Sequence, residues 1–437
     1  MWLLWSVHWR TSDVYFEWFR EPSFRDEGER LLVEPKPRTE KFRIQTFNQI
    51  APRGLKLLTT PQYSVRENQH SPHAIILRSF PLTTDHLSSN LLAIARAGAG
   101  VNNVPVDECT KQGILVFNTP GANANSVKEL VIAALLLCAR DVIGGIEYVN
   151  NLPNVIPEGD LKQHVEEGKR RFAGRELSGR TLGVVGLGAI GTPVANIACT
   201  LGMQVLGYDP FLSETSRQNV DSRVELVDEL KDLFARAQFI SLHVPLSPKT
   251  NAFVNDELLN YCHEGTCILN FARSEVVAPD AILRALDHGQ LSKYFIDFPR
   301  REFLNHPKVF TTPHLGASTA EAEENCAVMA VRQIQDFLIN GNIENSVNFP
   351  SVKLERSLDY RFTITNWNQP GVLQEILAVC SNVGLNITDM INKSRENVAY
   401  NILEVDGEVT DSLRTELLSV PNVVRVRALG RRNSNEL

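Results

Sequence analysis

Two side chains far apart in the chain could together oxidise an alcohol. The imidazole of His314 sits in Thr312-Pro313-His314-Leu315-Gly316, directly after the strand-like run Val309–Thr311. The guanidinium of Arg273 closes Asn270-Phe271-Ala272-Arg273, at the C-terminal edge of another strand-like run. That edge is where ligands bind in open α/β sheets. Oxidising a secondary alcohol needs a base for the hydroxyl proton, a cation for neighbouring carboxylate and forming carbonyl, and a group that sets the charge of the base. An imidazole and a guanidinium are the groups that can fill the first two roles, although a single histidine or arginine taken alone is more often structural or solvated. The hydride needs an acceptor, and Gly186, Gly188 and Gly191 form GxGxxG in GVVGLGAIG. This motif follows an apolar strand, opens a helical stretch over 190–201, and precedes strand-like Gln204–Tyr208, which ends at Asp209. In that context the glycines allow a tight turn, close backbone approach to a pyrophosphate, and packing of helix on strand. The helix N-terminus favours the phosphates. A carboxylate at Asp209 accepts from ribose hydroxyls and repels a 2′-phosphate, so the spacing points to NAD.

The elements around these residues alternate. Phe42, Ile44 and Phe47 open an apolar segment, followed by strand-like runs at 74–77, 92–95 and 114–117, a turn over 118–121, and a helix over 126–140. A second block holds strand-like runs at 182–185, 205–208, 239–242, 267–271 and 294–296, with helical stretches between them. Both blocks predict doubly wound parallel sheets. The last block reads strand, helix, strand, strand, helix, strand over 362–365, 372–381, 387–392, 399–405, 412–418 and 423–428, the split βαβ order of ferredoxin-like domains. The expected division is an N-terminal extension over 1–40, a substrate-binding domain over 41–117 and 313–345, and an NAD-binding domain over 118–312. A linker over 346–358 and a small regulatory domain over 359–437 complete it.

Composition narrows the partners. With 437 residues, 43% apolar and 22% charged, the chain is an ordinary multidomain globular protein. A net charge of −7 argues against broad binding to nucleic acid or acidic membrane, while leaving room for local arginines that hold a small anion. Seven scattered cysteines without a CxxC pair indicate neither a metal site nor a disulfide framework. No apolar stretch approaches the ~20 residues that span a bilayer. The first forty residues carry six acidic side chains between Asp13 and Glu29, which suits no organelle transit peptide. A cytoplasmic enzyme is the expectation.

The runs ARAGAGVNNV (95–104), FNTPGANANSV (117–127), TLGVVGLGAIG (181–191), LHVPLSPKT (242–250), NFAR (270–273) and TPHLGAST (312–319) together resemble the D-2-hydroxyacid dehydrogenases. The likeness covers most of residues 41–345. It implies a catalytic set of Arg273, Glu302 and His314, with Glu302 taken from its offset after Asp297. DFPRREFL departs there from the family's DVFxxEP, and Ser274-Glu275 replaces a common Gly-Gly. The implied partner of His314 is Glu302, whose charge would raise the imidazole pKa. The resemblance further implies NAD contacts from Gly186, Gly188, Ala189, Ile190, Gly191, Asp209, His243, Pro245, Thr250, Phe271, Ala272, Asp297 and Gly316. It implies substrate contacts from Arg78, Ser79, Arg96, Gly98, Ala99 and Gly100.

Asn366 to Leu373, with Gly384 to Ile387, resembles an ACT domain, an amino-acid-sensing module. Family members with such a tail oxidise 3-phospho-D-glycerate to 3-phosphohydroxypyruvate, the first step of L-serine biosynthesis, and bind serine between paired domains. By that likeness Asn368 and Asn386 are serine ligands, while Asn366 stands where a histidine is common. A homodimer or homotetramer follows from the same source. Two alternatives stay open: a glyoxylate or hydroxypyruvate reductase, and a non-enzymatic NAD-sensing protein of the corepressor kind.

Overall fold

The computed structural model describes residues 41–152, 160–357 and 360–430. The readings made of residues 1–40 lie outside them. The first sheet contains β1 (Phe42–Phe47), β2 (Tyr63–Arg66), β3 (Ala74–Leu77), β4 (Ala93–Arg96) and β5 (Leu115–Phe117), all parallel, in the order β2-β1-β3-β4-β5. All four side chains of β3, AIIL, are buried, as a strand covered on both faces requires.

The second sheet is also parallel and contains β6 (Thr181–Val185), β7 (Gln204–Tyr208), β8 (Val224–Leu226), β9 (Phe239–Leu242), β10 (Thr266–Asn270), β11 (Leu291–Ile296) and β12 (Val309–Thr311). Its order is β12-β11-β10-β9-β6-β7-β8, so the chain reverses direction across the sheet between β6 and β9. Ligands of doubly wound sheets bind at such a reversal. β2 and β8 escape the sequence pattern. Both are short edge strands, YSVR and VEL, and pairing with an apolar neighbour decides them rather than their own composition.

The third sheet is antiparallel: β13 (Tyr360–Trp367), β14 (Ile387–Arg395), β15 (Val398–Val405) and β16 (Val423–Leu429), in the order β14-β15-β13-β16. Helices Val372–Asn382 and Asp411–Ser419 cover one face over Phe362, Ile364, Leu403 and Val426. On the opposite face Val398, Tyr400 and Ile402 join the core of the first sheet.

The segment from 346 to 357 differs from the expected linker. Ser346, Asn348, Phe349 and Val352 are buried. The Asn348 side chain accepts from Val116 N–H at 2.9 Å and donates to the Ile114 carbonyl at 2.9 Å. Backbone groups left open at the end of β5 recruit this segment, because buried polar groups must be paired. A helix of 21 residues, Ala320–Asn340, spans about 30 Å and connects the sheets. Thr319 caps its start, and its last carbonyls are met by arginines: Arg427 to Phe337 O at 2.7 Å, Arg356 to Ile339 O at 3.1 Å, Arg361 to Asn340 O at 2.9 Å. Cations at a helix C-terminus satisfy both orphan carbonyls and the macrodipole.

Candidate active site

The glycine-rich turn lies at the end of β6. Gly186 adopts φ +93°, and a Cβ there would lie 2.8 Å from the His243 carbonyl oxygen. A Cβ on Gly191 would lie 1.8 Å from the Gly186 carbonyl oxygen, while Gly188 has nothing within 4 Å and stays open. Two positions are closed to side chains by the protein's own backbone, and the third is left free, as a cradle for a pyrophosphate demands. Asp209 follows β7 and accepts from Leu187 N–H and Phe211 N–H, each at 2.9 Å, so its carboxylate is fixed beside the turn. The geometry fits a dinucleotide. We expect Gly191→Ala to lower both NAD affinity and Tm, because overpacking against backbone costs ~1–3 kcal/mol; cofactor titration and thermal melting check it.

His243, Pro245 and Thr250 line the loop after β9. The Thr250 hydroxyl donates to the Pro245 carbonyl at 2.6 Å and accepts from Ser247 N–H at 2.8 Å, which closes the loop on itself. His243 is bonded to the Ser241 hydroxyl at 2.8 Å, and burial pushes its pKa down to about 3. The Phe271 ring is buried and stacks on Phe295 at 5.5 Å, so the side chain packs in the core. Ala272 is likewise buried.

Arg273 is held by its neighbours. Buried Asn270 accepts from Ala272 N–H at 3.0 Å and donates to the Arg273 carbonyl at 2.9 Å, which turns the chain sharply at the end of β10. Across the cleft, a Cβ on Gly100 would lie 3.2 Å from Arg273 Nη2. The guanidinium from the second sheet therefore rests against the Gly98–Gly100 loop of the first. Arg96 folds over the same loop: a Cβ on Gly98, at φ +153°, would lie 1.7 Å from Arg96 Nη1 and push the guanidinium aside. Arg96 Nε donates to the Arg78 carbonyl at 3.0 Å, and Arg78 itself pairs with Glu323 at 2.5 Å. Asn118 donates to the Ala99 carbonyl at 2.7 Å. The Ser79 amide is already spent on the Asn48 side chain at 3.1 Å.

His314 lies on a loop pinned by Asp297. One oxygen of that buried carboxylate accepts from the Thr312 hydroxyl at 2.6 Å and Leu315 N–H at 2.7 Å; the other accepts from Gly316 N–H at 2.7 Å. The loop they hold carries His314 at φ +57°, a strained conformation for a residue with a Cβ. Burial lowers the imidazole pKa; the Asp297 charge opposes this, and Arg273 and Arg96 reinforce it. Those fields place His314, Arg273 and Arg96 in one neighbourhood.

Glu302 is where the structure departs most from the sequence reading. It is exposed on a short turn, and its carboxylate accepts from Arg300 at 2.9 Å. Among the described residues the imidazole of His314 has no hydrogen-bond partner, and its ring packs on Phe298 at 4.6 Å. Phe298 also lies under the Arg273 guanidinium at 5.4 Å. The His314 pKa is lowered rather than raised, because burial, with Arg273 and Arg96 beside it, disfavours the imidazolium. Phe298 and Asn270 were missed as site residues. Both sit inside quoted motif segments, and the replacement of a valine by Phe298 was the one visible signal.

The effector candidates are not brought together. Asn386 precedes β14, whose first residue pairs with Val405; Asn368 follows β13, whose last residue pairs with Val398. The register puts them at opposite ends of β15, about 25 Å apart at ~3.3 Å per residue. Asn366, buried, accepts from Asn401 at 2.8 Å.

Residues 150–316 match the sequence model of the D-isomer specific 2-hydroxyacid dehydrogenase, NAD binding domain. The chain is 36% identical over 275 residues to a D-3-phosphoglycerate dehydrogenase of Methanocaldococcus jannaschii, covering 62% of this chain and 50% of that protein. It is 28% identical over 410 residues to the D-3-phosphoglycerate dehydrogenase of Dictyostelium discoideum, covering 89% of this chain and 96% of that one. The NAD+-bound 3-phosphoglycerate dehydrogenase structure of Entamoeba histolytica superposes with a TM-score of 0.57 at 27% identity, over 71% of this chain and 99% of that one. The chain spans about half the length of several of the curated relatives it matches. No helix among the described residues is long and apolar enough to cross a membrane.

Proposed function

We propose that the chain catalyses the NAD-dependent oxidation of 3-phospho-D-glycerate to 3-phosphohydroxypyruvate, the activity for which these relatives are named. One observation carries the reading: Arg273 reaches from the NAD-binding domain onto Gly100, while Arg96 and Arg78 stand on the opposite wall. A substrate with a carboxylate at one end and a phosphate at the other suits three guanidiniums, which bind both groups with paired hydrogen bonds. Unphosphorylated glycerate offers no second anion to Arg96, or to Arg78 in exchange for its partly exposed partner Glu323.

Bound NAD supplies the hydride acceptor. His314, neutral at physiological pH because its pKa is lowered, takes the C2 hydroxyl proton. Arg273 binds the carboxylate and polarises the forming carbonyl. Asp297 keeps the His314 loop in place through its three hydrogen bonds and so positions the base. The Glu302 carboxylate, committed to Arg300, stands outside this chain of events. Glu302→Gln is therefore expected to hold kcat within a few-fold and leave the acid limb of the rate profile where it was; stopped-flow or steady-state NADH formation against pH decides it.

In this reading the third sheet is a serine-sensing regulatory unit of a cytoplasmic homodimer or homotetramer. Asn368 of one copy would meet Asn386 of another, since a single copy holds them too far apart for one amino acid. The test is NADH formation with 3-phosphoglycerate against glycerate, with and without serine, alongside reduction of glyoxylate and hydroxypyruvate. A preference for unphosphorylated substrates overturns the proposal.

A further inference from the structure

Where the third sheet packs on the first, the structure buries positive charge without an answering carboxylate. Arg425, on β16, is 4% exposed. Its Nη1 donates to the Leu91 carbonyl, but its Nε and Nη2 have no hydrogen-bond partner. The buried Thr365 hydroxyl on β13 has none either. These groups line a small cavity with Leu92, Gly113, Tyr400 and Arg427. It is small, about the size that one water needs, so a halide seats there only as the Arg425 and Thr365 side chains give way slightly.

The other polar groups at this cavity are taken. Arg427 donates to Phe337 O at 2.7 Å, and the Tyr400 hydroxyl donates to Gly341 O at 2.7 Å. Glu404, the buried carboxylate of the same sheet, is bound by Arg361 and Ser357 and does not line the cavity. Gly113 leaves the space open: at φ +64° its own Cβ would stand 2.7 Å from the Thr365 hydroxyl oxygen.

We propose that this cavity binds one monatomic anion of the halide class, held by Nε and Nη2 of Arg425 and by the Thr365 hydroxyl. A water molecule could accept the same hydrogen bonds. It would leave two guanidiniums uncompensated in a medium that penalises bare charge heavily. Burial and then the neighbouring Arg427 push the Arg425 pKa down to about 10, and burial does the same to Arg427, so both remain cationic at neutral pH. A halide neutralises one charge, satisfies the open donors, and locks the third sheet onto the lobe that carries the substrate arginines. This inference concerns docking of the domains and stands whether or not 3-phosphoglycerate is the substrate.

The test uses the full chain, freed of halide, melted in sodium chloride, sodium bromide or sodium gluconate at equal ionic strength. Gluconate is too large for the cavity. Halide is expected to raise Tm by roughly 2–4 °C over gluconate. Arg425→Met is expected to abolish that increment, and Thr365→Val, a gentler change that keeps the fold, to reduce it. Crystals grown in bromide are expected to show an anomalous peak between Arg425 Nη2 and Thr365 Oγ1. Equal melting in halide and gluconate, an undiminished increment in Thr365→Val, or a bromide map without that peak each overturns the site.

Discussion

Substituting asparagine for His314 is expected to lower turnover with 3-phosphoglycerate by about 10²–10⁴-fold, the usual contribution of a positioned general base. NAD affinity should change little, because the glycine-rich turn is built from β6, β7 and the loop after β9, none of which His314 touches. Asparagine also tolerates the left-handed backbone at φ +57°, so the loop held by Asp297 survives the change. The wild-type pH profile provides the companion readout. A lowered imidazole pKa means that oxidation loses rate only as pH falls below the ordinary histidine value of about 6.5. Removing Arg96 or Arg273 relieves one of the fields that depress this pKa, so the acid limb should move to higher pH in Arg96→Met. If His314→Asn keeps near wild-type kcat, the imidazole is not the base.

The second large effect concerns stability. Arg361 and Glu404 form a fully buried pair at 2.6 Å, and Arg361 also donates to carbonyls of Asn340, Leu354 and Glu355. Glu404 also accepts from Ser357 N–H. Burial by itself raises the Glu404 pKa, and Ser357 and Arg361 more than offset it, so the carboxylate stays charged. Glu404→Leu strands a guanidinium in the interior, at a cost of ~3–5 kcal/mol. Hydrogen exchange of the β13 and β15 amides should then accelerate by ~10²–10⁴-fold, at 1.36 kcal/mol per decade. Adding Arg361→Met should recover part of the loss, since removing both charges is less costly than removing one. Exchange unchanged in Glu404→Leu would show that the pair does not hold the third sheet in place.

Much of the site was legible because its chemistry is local. GxGxxG between two strands can be read along the chain, since turn, helix start and acidic residue lie within about thirty residues. The positions of Arg273 and His314 follow from strand ends in a parallel sheet, where the chain must emerge at the same edge. For Glu302, an offset along the chain says nothing about which cation its carboxylate meets. Arg300, two residues away, takes it first. Phe271 read as a cofactor contact by its place in NFAR, yet its side chain alternates inward from the strand end and stacks on Phe295.

From the sequence alone came the parallel sheets, the small third unit and the dinucleotide turn, all consequences of periodicity and short-range turns, while the pairing of imidazole with guanidinium came from the family resemblance. Tertiary structure decided whatever depends on partners distant in the chain. It buried the segment expected as a linker, because β5 needed its polar groups answered. It set Arg96 and Arg273 against one glycine loop. It also placed the arginines of the third sheet on the end of a 21-residue helix, where they donate to its last carbonyls. Buried charge and unpaired backbone must find partners wherever the fold brings them, and local patterning does not record where that is.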